Sequence, residues 1–155
     1  MIGLLNNLRR LRRQLRLGRP STGSLAIRMV DAGSCNGCEH ELNALGSPYY
    51  DLARLGVNFV ASPRHADVLL VSGPVTKAMV EPLRHAYAAM PEPRKVAALG
   101  NCALGLDLLG CPDRCGSGVD AVLPVDIRIA GCPPTPDQIA AGLLQYREEQ
   151  PIFKA

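Results

Sequence analysis

The sequence predicts an α/β protein built on a parallel sheet, and three observations carry that expectation. From residue 25 onward, short apolar runs alternate with longer segments of helical periodicity. Those runs are continuous rather than alternating, which means burial on both faces, as in a sheet covered by helices on either side. At 155 residues, with 47% hydrophobic and 20% charged side chains, the chain has the size and composition of one globular domain.

Residues 1–20 stand apart as an arm. They hold six Arg (Arg9, Arg10, Arg12, Arg13, Arg16, Arg19) and no acid, whereas the remainder carries 11 basic and 14 acidic side chains. The formal charge of +3 therefore belongs to the arm. Leu4, Leu5, Leu8, Leu11 and Leu15 recur at helical spacing, which describes a basic amphipathic helix ending near Gly18-Arg19-Pro20. No apolar run follows the Arg residues, so a secretory signal is not expected. Its expected role is to lie on anionic lipid or to grip a partner subunit, with a solvated tail as the plain alternative.

Residues 21–155 are expected to form a single domain. Strands are expected at 25–30, 57–60, 66–71, 95–99 and 127–130, and helices at 39–45, 49–55, 76–90 and 135–147. Thr135-Pro136 opens the last helix as N-cap and first helical position. The best apolar run, 66–71, is far short of the roughly 20 residues needed to cross a bilayer. Nucleic-acid binding is set aside, because the basic charge lies on the arm and the six aromatics are scattered.

The cysteines follow this layout. Cys35 and Cys38 come just after the first expected strand, Cys102 after the fourth and Cys132 after the fifth. In an open parallel sheet, ligands bind outside the carboxyl ends of the strands, so residues nearly 100 positions apart converge there. Four thiolates hold zinc or an iron-sulfur cluster. Structural zinc sites draw on two close Cys pairs, and among these strand-end cysteines only Cys35 and Cys38 are so paired. A cluster, larger than one ion, suits the wider spread, while zinc and free thiols or disulfides stay as alternatives. Gly flanks each loop, in Gly33-Ser34-Cys35-Asn36-Gly37-Cys38, Gly100-Asn101-Cys102 and Gly131-Cys132-Pro133, and lets the backbone approach inorganic sulfide.

Together with the Ser72-Gly73-Pro74-Val75-Thr76 turn, these segments resemble the small subunit of membrane-bound, energy-converting [NiFe] hydrogenases, including that of formate hydrogenlyase. The same superfamily contains the complex I subunit that holds the last cluster before quinone. The resemblance covers residues 21 to 145. It implies a flavodoxin-like fold with helices on both faces of the sheet and one [4Fe-4S] cluster ligated by Cys35, Cys38, Cys102 and Cys132. Complex I subunits have adjacent cysteines at the first motif, whereas Asn36 and Gly37 separate them here, as in hydrogenases.

On this resemblance the chain is an electron-transfer subunit of an oxidoreductase complex, relaying electrons to the [NiFe] site of a large subunit. Its expected partners are that large subunit, a ferredoxin-like iron-sulfur subunit and membrane-arm subunits, and its expected place is peripheral, on the cytoplasmic side of the membrane. The rival readings are a complex I-type subunit passing electrons to quinone and a zinc-stabilised interaction domain. The chain has no complete active site of its own. No Ser/His/Asp set or phosphate loop occurs, and Gly116-Ser117-Gly118 lacks the remainder of a dinucleotide fingerprint.

Several residues are weighed against plainer roles. Cys111 and Cys115 are expected to shape their loop, with Cys111 as the substitute should one of the four ligands fail. The resemblance places Glu39 near the cofactor and the large-subunit interface, for hydrogen bonding around the cofactor or proton movement, against a carboxylate favoured by its helix start. His40 receives no role. The resemblance puts the stretch from Arg64 to Asp67 near the cluster edge, where His65 would couple protonation to reduction, against the equally weighted reading of a histidine satisfied in a strand-start turn. The turn at Ser72 to Thr76 is read as packing beside the crevice, and His85 as surface.

Overall fold

In a computed structural model, residues 23–106 and 118–149 are described, and five parallel strands form one sheet in the order β2-β1-β3-β4-β5. They are β1 (Leu25–Asp31), β2 (Val57–Phe59), β3 (Val68–Ser72), β4 (Lys95–Leu99) and β5 (Ile127–Ile129). This is the doubly wound order, in which the chain leaves β1 for one side of the sheet and returns to build β3 on the other. Asp31, Ser72, Leu99 and Ile129 stand in register across the carboxyl rim.

Burial on both faces is what the continuous apolar runs anticipated. Every residue of β3 is buried. Val68 and Leu70 belong to one hydrophobic cluster, whereas Leu69 and Val71 belong to the other. The first cluster takes Leu42 from α1 (Gly37–Ala44) and Ile139, Leu143 and Leu144 from α4 (Pro136–Glu149). The second takes Leu83 from α2 (Val80–Ala88) and Ala103 from α3 (Gly100–Ala103). Each fully buried Leu contributes about 2–3 kcal/mol through surface removed from water.

The start of α4 follows the sequence signal. Thr135 N donates to Gln138 Oε1 at 2.8 Å while Gln138 N donates to Thr135 Oγ1 at 3.3 Å, a reciprocal capping box. Two other expected helices are shortened. The helix expected at 76–90 divides into a 3-10 turn at Lys77–Met79 and α2, because Pro82 lacks the N–H that a continuous α-helix would need and its ring crowds the preceding turn. The one expected at 49–55 is only a 3-10 turn at Leu52–Leu55, since Asp51 adopts a left-handed φ of 44° that breaks the helix. The short α3, which carries Cys102, has too few residues to show periodicity.

The expected arm over residues 1–20 lies outside the described residues, as do Cys111 and Cys115.

Candidate functional site

The carboxyl rim gathers the cysteines. After β1 the chain turns on Asp31, whose Oδ1 accepts hydrogen bonds from Gly33 N at 2.8 Å and Ser34 N at 2.7 Å. Asn36 then takes a left-handed φ of 66°, and α1 begins at Gly37, so that Cys38 and Glu39 occupy its first turn. Between these positions Asn36 N donates to Ser34 Oγ at 3.1 Å. From β4 the chain passes directly into α3 and delivers Cys102. From β5 it passes through Gly131 to Cys132.

These loops surround one cavity of about 40 Å³, lined by Cys35, Cys38, Cys102 and Cys132 together with Ser34, Gly37, Gly73, Asn101, Gly131 and Pro133. No disulfide joins the four cysteines; Cys35 and Cys132 are exposed, and Cys38 and Cys102 are partly covered. Among the described residues no group of three or more His, Cys, Asp and Glu side chains is placed to hold a single metal ion.

Glycine is required where backbone meets sulfur. Gly100 has φ +87°, and a Cβ on it would stand 2.7 Å from Cys38 Sγ. Gly73 has φ +76°, and its Cβ would stand 2.5 Å from Ser34 N, so the loops after β1 and β3 close on each other only without a side chain there. A Cβ at Gly37 would lie 3.5 Å from Cys35 Sγ. The soft thiols and the close backbone together make a donor set and cradle that fit an iron-sulfur cluster.

The electrostatics of the rim oppose charge on the Cys38 thiol. Burial pushes the Cys38 thiol up to about 12, the Glu39 charge adds to it, and Cys102, Cys35 and Cys132 follow. The Cys38 Sγ lies 3.9 Å from the carbonyl of Leu99, to which it donates a long hydrogen bond. To serve as a thiolate ligand, Cys38 would have to give up that proton.

Three further residues organise the rim, one of them, Asp31, outside the motifs. Asn101 N donates to Gly131 O, and Gly131 N donates to Asn101 Oδ1, each at 2.8 Å. Asp31 builds the turn before Cys35, for which an Asp two residues before Gly was the available signal. Ser72 Oγ donates to Glu39 Oε1, so the turn after β3 does more than pack. The other Glu39 oxygen, Oε2, is buried without a hydrogen-bond partner. Glu39 also lines a neighbouring cavity of about 250 Å³ with Met29, Leu42, Asn43 and the exposed Phe59.

His65 is a correction. It ends the 3-10 turn Pro63–His65, which leads into the amino end of β3, and Asp67 beside it accepts from Ala26 N near the start of β1 at 2.8 Å. In an all-parallel sheet that is the rim opposite the cysteines, and the expected coupling of His65 to the site has no geometric basis.

An open, doubly wound sheet with a thiol-lined cavity at its carboxyl rim defines a class of α/β proteins suited to carrying a sulfur-bound cofactor. Within that class the family is shown by comparison. Residues 35–146 match the family described as NADH ubiquinone oxidoreductase, 20 Kd subunit, and the chain belongs to it. It is 43% identical over 120 residues to the Pyrococcus furiosus protein named "Probable membrane-bound hydrogenase subunit mbhJ", covering 77% of this chain and 72% of that one. It is 40% identical over 130 residues to formate hydrogenlyase subunit 7 of Escherichia coli K12, covering 80% of this chain and about half (51%) of that one. Among solved structures, a chain of the archaeal respiratory complex called membrane-bound sulfane sulfur reductase superposes with a TM-score of 0.70 at 29% identity, covering 94% of this chain and 74% of that one. The [NiFeSe] hydrogenase of Desulfovibrio vulgaris Hildenborough shares the fold, with a TM-score of 0.59 at 19% identity over 85% of this chain and 62% of that one.

Proposed function

We propose that this chain is the electron-relay subunit of a membrane-bound hydrogenase or formate hydrogenlyase complex, with Cys35, Cys38, Cys102 and Cys132 holding one [4Fe-4S] cluster. The observation that carries the reading is the meeting of these four thiols, from three separate loops, in one cavity. When bound, the cluster supplies one-electron transfer and no substrate chemistry.

The chain's own residues do the rest. The four sulfurs anchor the cofactor, and the Gly100 and Gly37 backbones lie close enough to them to bring peptide dipoles to bear on its charge. The Asn101–Gly131 pair holds two ligand loops at fixed separation. Cys35 and Cys132 are exposed, so a second subunit has to cover the rim to exclude water from the relay. That cover is expected to be a hydrogenase-type large subunit bearing the [NiFe] site. A ferredoxin-like subunit would deliver electrons and membrane-arm subunits would anchor the assembly, peripherally and on the cytoplasmic side. No helix among the described residues is long and apolar enough to cross a membrane.

Two residues between Cys35 and Cys38 favour the hydrogenase branch over a quinone-reducing one, and identities of 43% and 40% to the hydrogenase and formate hydrogenlyase subunits point the same way. The test is made on the complex purified through this chain. It should contain nickel and evolve hydrogen from a low-potential donor, and Cys102→Ser should abolish hydrogen evolution while nickel is retained. A nickel-free complex that reduces quinone or sulfane sulfur would overturn the hydrogenase assignment.

A further inference from the structure

We propose that Glu39 acts as a fixed negative charge that lowers the reduction potential of the cofactor in the thiol cavity, with Ser72 as its positioning residue. The inference rests on the cluster-relay reading and names a determinant of its potential.

Ser72 is the last residue of β3 and is completely buried. Its carbonyl accepts from Ala32 N at 3.0 Å, which locks it to the loop that leads to Cys35, and the next residue, Gly73, lines the thiol cavity. Its hydroxyl is spent on Glu39 Oε1. Glu39 follows Cys38 on the first turn of α1, and its second oxygen is buried with no donor beside it.

For folding alone this is a poor arrangement. A carboxylate at a helix start gains from the dipole equally well when exposed, whereas burying one of its oxygens without a donor is unfavourable. Next to a redox centre the same arrangement has a consequence. A negative charge kept out of water acts through a low dielectric and opposes the arrival of an electron nearby. The Ser72 hydroxyl fixes one carboxylate oxygen of Glu39, a residue that also borders the cavity lined by Met29, Leu42, Asn43 and Phe59. Glu39 stands next to Cys38 in the first turn of α1.

The experiment is a redox titration of the purified complex followed by electron paramagnetic resonance, using the signal that Cys102→Ser removes. Glu39→Gln should shift its midpoint to higher potential. Ser72→Ala should shift it in the same direction by less, and the double variant should match Glu39→Gln alone, because Ser72 acts only through Glu39. A role confined to folding would lower the iron content and leave the midpoint of the remaining clusters unmoved. An unchanged midpoint in Glu39→Gln at full iron content overturns the proposal. Should Glu39→Gln assemble without iron, an unchanged midpoint in Ser72→Ala overturns it instead. Additive shifts in the double variant overturn the positioning role. A wild-type complex without iron, sulfide or signal is a separate failure, that of the relay reading itself.

Discussion

Asn101 and Gly131 exchange two hydrogen bonds, Asn101 N to Gly131 O and Gly131 N to Asn101 Oδ1, each 2.8 Å long. This pair joins the loop that carries Cys102 to the loop that carries Cys132, using backbone alone on the Gly131 side and a backbone N–H plus one side-chain oxygen on the Asn101 side. Asn101→Ala should leave Gly131 N without its acceptor and destabilise the fold by about 1–2 kcal/mol. The iron retained per chain should fall with it, whereas Asn101→Asp, which keeps an acceptor oxygen, should retain more. Iron analysis and denaturant unfolding check this; equal iron in Asn101→Ala and the wild type would show that the two loops are held by other means.

Gly100→Ala places a methyl group 2.7 Å from Cys38 Sγ on a backbone with φ +87°. The backbone strain alone is about 1–2 kcal/mol, and the sulfur has to move as well. Cluster content should drop sharply. Gly46→Ala is the control, since its Cβ would meet only Asn43 O at 3.6 Å, an ordinary contact. Comparable iron loss in both variants would contradict the cradle.

Lys95 Nζ donates to Asp126 Oδ1 at 2.8 Å, and that hydrogen bond and charge hold the ammonium above its ordinary value of 10.5. Because the folded value is the higher one, the stabilisation is fully present below pH 10.5 and is lost as pH climbs through the folded value. Lys95→Met should flatten this alkaline decline. With the two side chains 33% and 27% exposed, the loss at neutral pH should stay below about 1 kcal/mol. Urea unfolding of both forms from neutral to strongly alkaline pH checks this, and parallel curves would contradict it.

The arm carries its own prediction. Changing Arg9, Arg10, Arg12 and Arg13 to Gln should weaken association with membranes or membrane subunits, each charge contributing on the order of 1 kcal/mol at an anionic surface. The paramagnetic signal of the complex should be unaffected. Co-sedimentation and spectroscopy of one preparation test both halves, and a lost signal would contradict the separation of arm from core.

What was legible in the sequence followed from strong local signals. The five strands were placed to within a residue or two because strands buried on both faces are written as uninterrupted apolar runs, β3 most plainly. The convergence of the four cysteines followed from strand ends and the geometry of a parallel sheet. What was not legible depended on contacts distant in sequence. Ser72 and Glu39 are 33 positions apart, and neither carries a pattern that announces the other. Asn101 lies in the Gly100-Asn101-Cys102 motif with no role assigned from sequence, because its partner, Gly131, is 30 positions away. Of the two readings of His65, the one taken from the superfamily resemblance sets it near the cluster and fails, whereas the strand-start turn agrees with its position before β3 at the amino rim.

The most direct measurement is iron and acid-labile sulfide per chain in the purified complex, combined with electron paramagnetic resonance after reduction. With other iron subunits present, the contribution of this chain is the difference between the wild type and Cys102→Ser. The account predicts a difference of about four iron and four sulfide with the loss of one low-temperature signal. A difference of one zinc, or none in either metal, would contradict it.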